Sequence, residues 1–407
     1  MAHFDYVLAG GGAAGLSLAY HMVHRGPANK KIAIIDPDHK TQNDRTWCFW
    51  IDRPTLVDPV VKRRWRHAWF HGPERSHRFS LEPYEYRMIR GIDFYEFVQG
   101  DLYARPNVTF IRDRVDRIED GEPRKPAQVH TAGGERHTAE FVFDSLFLPR
   151  EFSVDTSRYY FLKQHFAGWT IRTEEPVFDP DAITLFDLRV PQNGAFRFMY
   201  LLSESPNRAL VEYTLFSSDI LPAQEYKQAI RDYIRDYLGD TAYTVEEEED
   251  GIIPMTDQPF SRESGQRVMT IGTRGGRVKP STGFAFLRMQ QDSEAIVHSL
   301  RAEGHPFHGR AAPPRYRTFD AMMLSVLERS RDGGRDVFIK LFERNPMTRV
   351  LRFLDEAGTI GENIRLMATV PWGTFIAAWF RVKRRHNRRG KARRVDAYGN
   401  AFPEDEG

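Results

Sequence analysis

Residues 4–15 read FDYVLAGGGAAG, and this stretch decides the fold. The apolar run at 4–10 predicts a buried β-strand, and the glycines that follow lead into a helix predicted over 13–25. A second apolar run predicts another buried strand over 31–36. Strand, glycine-rich turn, helix and strand in this order predict a βαβ unit with parallel strands.

The glycines of this turn follow the GxGxxG pattern, and an acidic residue ends the second strand 21 residues after Gly15. In such a turn the first glycine permits a tight bend, the second lets a pyrophosphate approach the backbone, and the third brings helix and strand together. The helix N-terminus adds amide groups and a partial positive charge, and the acid binds a ribose. We therefore expect a dinucleotide at Gly10, Gly12, Ala13, Ala14, Gly15 and Asp36.

A second glycine-rich segment follows an apolar run at 267–273 that predicts a buried strand. A helix is predicted near 282–302, with Ser281 or Thr282 as its N-cap. A late strand that ends in glycine and leads to a helix N-terminus is typical of flavoproteins with a βαβ unit, which favours FAD over NAD. We expect further cofactor contacts from Gly272, Thr273, Thr282 and Gly283.

The rest of the chain divides into segments with different patterns of hydrophobic residues. A helix is predicted over 92–104, and short strands over 107–118 and 127–145. An antiparallel sheet with one face toward a core or ligand is predicted from alternating runs at 164–173, 181–190, 195–203 and 208–216. An amphipathic helix is predicted over 223–238, and mostly helical structure over 315–385.

Three separated motifs are NDRTWCFW at 43–50, ALVEYTLF at 209–216, and the run from Gly272-Thr273 to Phe284. Together they resemble the lycopene β-cyclase family. The resemblance implies an α/β fold like that of p-hydroxybenzoate hydroxylase. It implies a discontinuous, Rossmann-like FAD-binding domain (1–156 and 251–303), an antiparallel-sheet substrate domain (157–250) and a helical C-terminal region (304–407). It also places Arg45 among the cofactor-binding residues.

The resemblance implies a flavin-dependent isomerase of carotenoid biosynthesis. Its substrate would be lycopene or a related acyclic carotenoid, whose ends close to β-rings. The family needs reduced FAD, with NAD(P)H as the reductant, yet ring closure involves no net electron transfer. A proton must reach the terminal alkene, and the resulting carbocation must be stabilised by negative charge or aromatic rings while water is kept out.

The resemblance identifies Glu212, in LVEYT, as the essential acid of the reaction. Burial would raise the pKa of this carboxyl and keep it protonated near neutral pH. The alternating pattern leaves open whether Glu212 faces solvent. Asp187 is a second catalytic candidate, because Asp187 and Arg189 resemble the family's Asp-Trp-Arg element with Leu188 in place of Trp. A structural Asp–Arg pair is the alternative.

Other charged groups are assigned simpler roles. Glu174 and Glu175 precede a proline and are expected to end a strand at the surface, and the acidic run at 246–250 to form a solvated edge. The pairs His21/His24, His67/His71 and His305/His308 lack a third ligand pattern, so we expect no metal.

Composition and charge indicate where the protein acts. The chain has 407 residues, 41% of them hydrophobic, and a single cysteine, Cys48, which fits a reducing compartment. Nine basic and no acidic residues lie between 381 and 394, after an apolar aromatic run at 370–380 that is too short to span a bilayer. We expect this region to contact a membrane surface rather than nucleic acid, with a packed helix and solvated tail as the alternative. The N-terminus lacks a secretion signal, so the expected location is cytoplasmic, on the membrane's cytoplasmic face.

Two other classes of function remain open at this stage. The first is a redox flavoenzyme, either a polyprenyl reductase or an aromatic hydroxylase. Hydroxylases of this fold generally carry Gly-Asp at the late strand where this chain has Gly272-Thr273, which argues against that activity. The second is a carotenoid- or lipid-binding protein without catalysis, against which Glu212 and the glycine pattern argue.

Overall fold

The structure is a computed structural model that describes residues 1–239, 241–307, 313–329, 334–388 and 390–402. Its strands are β1 His3–Ala9, β2 Ile32–Ile35, β3 Thr46–Ile51, β4 Arg63–Trp65, β5 His67–His71, β6 Ser76–Ser80, β7 Glu85–Arg90, β8 Val108–Ile111, β9 Val115–Glu119, β10 Ala127–Thr131, β11 Arg136–Asp144, β12 Val154–Asp155, β13 Phe161–Thr173, β14 Ala182–Asp187, β15 Phe196–Ser205, β16 Arg208–Ser217, β17 Tyr243–Thr256, β18 Val268–Thr270 and β19 Arg394–Val395. Its helices are α1 Ala13–Arg25, α2 Gly91–Tyr103, α3 Ala223–Tyr237, α4 Phe286–Ala302, α5 Pro314–Arg329, α6 Arg335–Glu343, α7 Met347–Leu354, α8 Ile360–Met367 and α9 Trp372–His386.

The first large sheet contains the predicted βαβ unit. Its order is β8-β2-β1-β11-β10-β9, and β18 pairs with the C-terminal end of β11. The pairs among β8, β2, β1 and β11 are parallel, whereas β10 and β9 are antiparallel additions. All four residues of β2 are buried, as expected for a parallel strand covered on both faces. The predicted α/β fold is confirmed.

The second large sheet has the order β17-β13-β16-β15-β14-β5-β6 and is antiparallel except for the β14–β5 pair. The alternating runs in the sequence predict β13 to β16 well. Strands β5 and β6 come from residues 67–80, outside the 157–250 stretch that the sequence assigns to this sheet. The β14–β5 pair joins residues more than 100 positions apart, such as Ala182 and His67, so no local pattern marks it.

The two faces of the second sheet pack against different partners. Leu210 and Phe216 of β16 belong to a core that also contains side chains of α5, α6, α7 and α9. Val211, Tyr213 and Leu215, which alternate with them, pack against α3. We call the first side the inner face and the side beneath α3 the outer face. Because side chains alternate along a strand, the even-numbered residues 210–216 of β16 share the inner face.

Helix α4 begins later than the sequence predicts. Its N-cap is Ala285, and neither Ser281 nor Thr282 has that role. Gly283 has a positive φ of 73°, which is incompatible with helical geometry and keeps residues 280–285 in a loop. Ser281 instead donates a hydrogen bond to Asp320 of α5 at 2.7 Å. The loop is thereby tied to the C-terminal helices.

Candidate active site

The glycine-rich turn between β1 and α1 has the geometry of a phosphate-binding turn. Gly10 has a φ of 102°, and a Cβ at Gly15 would overlap the carbonyl oxygen of Gly10. A Cβ at Gly12 would meet nothing within 4 Å among the described residues, so this side of the turn is open. Gly12 is also the N-cap of α1 and forms no side-chain cap, which leaves the first amide groups of the helix for a ligand.

Asp36 lies beside this turn at the end of β2. Its Oδ2 accepts a hydrogen bond from the Gly11 amide at 2.6 Å, and its Oδ1 accepts one from the Asp38 amide at 2.8 Å. The carboxylate is therefore held next to the open turn, where the sequence places the ribose. Arg45 is exposed, and its guanidinium donates to the carbonyl of Asp44 at 3.2 Å. Its cofactor role stays a prediction.

The two glycine-rich segments meet although more than 250 residues separate them. Gly272, with a φ of 67°, lies so close to α1 that a Cβ there would be 2.9 Å from the Cβ of Ala14. Thr273 follows as a partly exposed residue. The late strand thus returns the chain to the first turn of α1, as the sequence predicts for a flavoprotein.

Two buried polar atoms, one in the loop before α4 and one on β13, have no hydrogen-bond partner among the described residues. They are Oγ1 of Thr282 and Oε1 of Gln164. The Gln164 oxygen lies against this loop, because a Cβ at Gly283, next to Thr282, would overlap it. Buried polar atoms in proteins are normally paired, so this pair fits a ligand that supplies hydrogen-bonding groups. Together with the open glycine turn, this observation fits a flavin that extends from α1 to the 282–283 loop.

Glu212 lies on the inner face of the second sheet and is 8% exposed. Thr214 donates a hydrogen bond from its hydroxyl to Oε1 of Glu212 at 2.5 Å. Burial raises the pKa of Glu212 to about 8, and the neighbouring charge of Glu249 adds to the rise. Glu212 is therefore buried on the inner face and does not face solvent, which settles the orientation that the sequence left open. Its environment favours the protonated form of the carboxyl.

Glu249 is a functional candidate that sequence reasoning missed. It lies on the inner face of β17 and on the same face as Glu212, because both residues pair with Gly168 of β13. Thr46 donates from its hydroxyl to Oε2 of Glu249 at 2.7 Å, and burial raises the pKa of Glu249. Glu249 is partly exposed, whereas Glu246, Glu248 and Asp250 of the same run are exposed as a solvated edge predicts. Strand alternation places Glu249 on the same face as the buried Met255, which is the signal that could have found it.

Polar rings and the cysteine lie next to the carboxyl pair. Tyr200 is the register neighbour of Glu212 on β15, and its hydroxyl is 2.7 Å from the hydroxyl of Tyr86. Cys48 lies close to both tyrosines, and its desolvated surroundings raise the pKa of its thiol. These side chains close the inner face around Glu212.

An apolar cavity with about 720 Å³ of empty space, counted to its mouth, lies between the second sheet and the C-terminal helices. Trp50 and Thr282 are at its edge, and Glu212 is not among the described residues that line it. Trp50 stacks on Tyr86 at 6.4 Å between ring centroids, and Tyr86 contacts Tyr200 beside Glu212. Aromatic rings therefore separate the cavity from the carboxyl. Its walls include Phe186, Phe284, Phe319, Phe338, Met367 and Phe375.

Asp355 is a second carboxyl near the cavity with a strongly shifted pKa. Its Oδ2 accepts a hydrogen bond from Nε1 of Trp50 at 2.7 Å. Burial raises the pKa of Asp355 to about 7. Sequence reasoning gave no reason to choose it, because Asp355 follows α7 in a segment without a motif.

The structure does not bring Asp187 together with Glu212. Asp187 is fully buried at the end of β14, where Arg189 pairs with it at 2.5 Å and the Tyr233 hydroxyl of α3 donates to it at 2.7 Å. Asp187 therefore faces α3 on the outer side, which matches the alternative of a structural Asp–Arg pair. The described residues contain no group of three or more potential metal ligands. His308 lies outside the described residues.

Comparisons with known proteins agree with this geometry. Residues 5–382 match the family described as "Lycopene cyclase protein". A lycopene beta-cyclase of Pseudescherichia vulneris is 24% identical over 75% of this chain and 76% of its own length. A chloroplastic neoxanthin synthase of Solanum tuberosum is 26% identical over 74% of this chain, which spans only 61% of that protein.

Solved structures with the same fold include two flavoprotein-type enzymes. A geranylgeranyl bacteriochlorophyll reductase-like protein of Thermoplasma acidophilum superposes with a TM-score of 0.59 at 12% identity, over 94% of this chain and 100% of that chain. A probable FAD-dependent monooxygenase of Pseudomonas aeruginosa gives a TM-score of 0.55 at 12% identity, over 86% and 99%. At this identity the likeness concerns the fold.

Proposed function

We propose, because this chain belongs to the lycopene cyclase family, that it closes β-rings at the ends of lycopene or a related acyclic carotenoid. The observation that carries the proposal is Glu212, a buried carboxyl on the inner face whose pKa is raised to about 8. Such a group is protonated at neutral pH and can act as a general acid toward an alkene.

FAD is the proposed cofactor, because the residues of the site fit it. The open turn at Gly10 and Gly12 and the N-terminus of α1 would hold the pyrophosphate, and Asp36 the ribose. The unpartnered oxygens of Thr282 and Gln164 would meet the polar edge of the flavin. When bound and reduced, with NAD(P)H as reductant, FAD supplies negative charge that stabilises a carbocation without net electron transfer.

The proposed reaction begins with a proton from Glu212. The O–H bond of Glu212 breaks and a C–H bond forms at C2 of the terminal C1=C2 alkene, which leaves a cation at C1. The C5=C6 bond attacks C1 and closes the ring, and loss of the proton at C6 forms the ring double bond. One proton enters and one leaves, so the product is an isomer of the substrate.

The aromatic rings near Glu212 have two roles in this scheme. Trp50, Tyr86 and Phe284 offer π-electron density that stabilises a cation, because Trp50 contacts both other rings. They also exclude water, which would trap the cation as an alcohol. Because these rings lie between the cavity and Glu212, we propose that the carotenoid end displaces part of this aromatic layer when it reaches the acid.

The access route of the substrate is proposed to begin at a membrane. Exposed apolar residues recur every four positions along α8 and α9, and each large one is more than half exposed: Ile360, Ile364, Trp372, Ile376 and Phe380. Lys383 lies 3.8 Å from the ring centroid of Trp379, and Arg384 and Arg388 are exposed. Helices α8 and α9 also contribute Leu366 and Phe375 to the cavity wall. We call this exposed stripe and its cations the α8–α9 surface.

The α8–α9 surface fits an interfacial position, with aromatic rings at headgroup depth and cations on anionic lipid. Among the described residues no helix has the length and apolar character that crossing a bilayer requires. We propose that the protein works at the cytoplasmic face of a membrane and takes its carotenoid from the lipid into the cavity.

One anaerobic assay tests the proposed activity. Purified protein with reduced FAD and lycopene in anionic vesicles is incubated, and the pigments and the hydride balance are measured. Ringed carotenoid without stoichiometric hydride consumption supports the cyclase. Hydride consumption with a saturated product would identify a reductase, and unchanged lycopene would indicate a binding protein.

A further inference from the structure

The scheme above does not use Glu249, although this residue faces Glu212 directly. Gly168 of the central strand β13 pairs with Glu212 on one side and with Glu249 on the other. Strands are about 4.8 Å apart, so the backbones of β16 and β17 are roughly 10 Å apart. Two glutamate side chains can meet over that distance only if the residue between them has no side chain in the way, and glycine fulfils this condition.

The polar contacts of the pair favour a single proton held between the two carboxyls. Thr214 donates to Glu212 and Thr46 donates to Glu249. Neither carboxyl forms an ion pair with Lys or Arg within the described part of the chain. The two side chains lie on the same face on either side of Gly168, and two facing carboxylates repel each other. A proton carried by one carboxyl and accepted by the other relieves this repulsion.

The two members of the pair face different surroundings. Glu212 lies beside Tyr200 and the aromatic layer that leads to the apolar cavity. Glu249 lines a polar cleft of about 410 Å³ together with Lys62, Arg90, Glu204, Arg208 and Glu247. The pair thus spans the boundary between an apolar substrate side and a polar, solvent-connected side.

We propose that Glu249 is the positioning and relay residue of the proton donor: it shares a single proton with Glu212 and reloads Glu212 from the polar cleft after each ring closure. This inference rests on the proposed function. In each cycle Glu212 loses one proton to C2 of the substrate and the proton released from C6 passes to solvent. Glu249 then takes one proton from the cleft and passes it to Glu212, so the pair ends as it began.

The charged and titratable groups around the pair set the sign of the expected pH effect. A negative Glu249 disfavours ionisation of Glu212, so its neutralisation lowers the pH at which Glu212 loses its proton. The charge of Glu247 raises the pKa of Glu249, and the charge of Arg45 lowers it. The other such groups on the neighbouring elements are Cys48, Lys62, Tyr86, Arg90, Tyr200, Glu204 and Arg208.

Infrared titration of the full-length protein without substrate tests the proposal. The carbonyl band of a protonated buried carboxyl is followed with pH, and Glu212→Gln assigns it. In the wild type the band should disappear as pH rises through about 8. In Glu249→Gln the midpoint should fall by about one pH unit or more. Deuterium exchange of the same carboxyl, measured by the isotopic shift of the band, should slow at least about tenfold, since relayed proton transfer contributes such factors.

Glu248→Gln is the matched control, because Glu248 is an exposed neighbour on the same strand that pairs with Lys227 of α3 at 2.8 Å. Glu248→Gln should leave the titration midpoint of the carbonyl band and the deuterium exchange rate unchanged. Compared with Glu249→Gln, Glu249→Asp should bring both values part of the way back to those of the wild type. Equal thermal unfolding of the variants excludes a folding defect. An unchanged midpoint or exchange rate in Glu249→Gln would overturn the proposal. If these shifts appear but lycopene is not cyclised, the proposed function fails while the shared proton stands.

Discussion

At the scale of single residues, Glu212 and Asp355 are two buried carboxyls whose pKa values are raised toward neutrality near the same aromatic layer. They differ in their partners. Asp355 accepts a hydrogen bond from the indole N–H of Trp50, whereas Glu212 accepts one from a threonine hydroxyl and faces Glu249 across Gly168. Of these two residues, Glu212 is the one that combines a raised pKa with a second carboxyl that can resupply its proton. Mutating each residue can therefore show which one donates the proton.

Glu212→Gln should lower ring formation by about a hundredfold or more, because an amide cannot supply the proton. FAD binding should be unaffected, since Glu212 is not among the residues proposed to hold FAD. Asp355→Asn is the control and should retain activity within a few-fold. Product analysis and flavin absorbance measure both effects. Loss of activity in Asp355→Asn alone would reassign the proton donor.

The pH dependence of the reaction follows from the same carboxyl. Burial and Glu249 raise the pKa of Glu212 to about 8, so the donor form is complete below about pH 7 and is lost as pH rises through 8. The turnover rate should therefore decline on the alkaline side, with a midpoint near 8. Rates measured between pH 6 and 9 at saturating substrate check this. A rate that stays constant to pH 9 would contradict the assignment of Glu212.

The sequence predicts one member of the carboxyl pair and not the other. Glu212 is found because it lies in a motif, and its apolar neighbours are consistent with burial. Glu249 is concealed within a run of five acidic residues, of which Glu246 does pair with Arg172 and Arg208 at the exposed edge. Composition alone indicates solvent for the whole run. Only the register of β17 against Gly168 separates Glu249 from its neighbours.

At the scale of elements, the meeting of β16 and β17 residues across β13 depends on Gly168. A Cβ at this position would lie 3.3 Å from Cβ and 3.4 Å from Cγ of Glu212, which is a crowded contact. Gly168→Ala should therefore move the two carboxyls apart, lower the pKa of Glu212 and reduce ring formation at pH 8 more than at pH 6. The pH–rate profile of the variant measures this.

Gly100→Ala controls for the general effect of adding a methyl group, because nothing described lies within 4 Å of a Cβ there. Gly100 belongs to α2, where alanine is the better helix former. The free energy of unfolding of the Gly100→Ala variant should therefore rise by about 0.5–1 kcal/mol. If Gly168→Ala keeps the pH profile of the wild type, the central glycine is not what allows the carboxyls to meet.

The sequence predicts elements well where a local pattern carries them and less well where distant segments decide. The βαβ unit, the long antiparallel strands and α3 follow from periodicity. The loop at 280–285 was predicted as the start of a helix, since the positive φ of Gly283 and the bond from Ser281 to Asp320 depend on packing against α5. The candidate flavin contact at Gln164 was missed for the same reason.

At the scale of the whole molecule, helices α8 and α9 carry both the α8–α9 surface and part of the cavity wall, so the proposed membrane binding would be coupled to substrate uptake. Replacing Lys383, Arg384 and Arg388 by Gln should weaken binding to anionic vesicles, by about 1 kcal/mol for each cation near the surface. Added salt should weaken wild-type binding in the same way, because exposed charges are screened. Vesicle sedimentation measures both.

Arg114, directly before β9, and Arg117 of β9 provide a control pair, since both are well exposed at the first sheet. Their replacement by Gln should leave vesicle binding unchanged. Trp372→Ala with Phe380→Ala should weaken binding even at high salt, because this contribution is apolar. If all variants sediment equally with vesicles, the basic segment does not bind lipid, and the alternative of a solvated tail is supported.

The position of Cys48 gives the protein a built-in reporter. Because the chain has one cysteine, a thiol-specific alkylating reagent can label a single place, between Tyr86 and Tyr200. Cys48 is only partly buried, so the thiol should react at a rate that depends on how far the neighbouring rings cover it. If a carotenoid end must part the same rings, lycopene-loaded vesicles should change the labelling rate measurably, whereas vesicles without pigment should not. The rate at which Cys48 is labelled would thus report how often the rings beside Glu212 move apart.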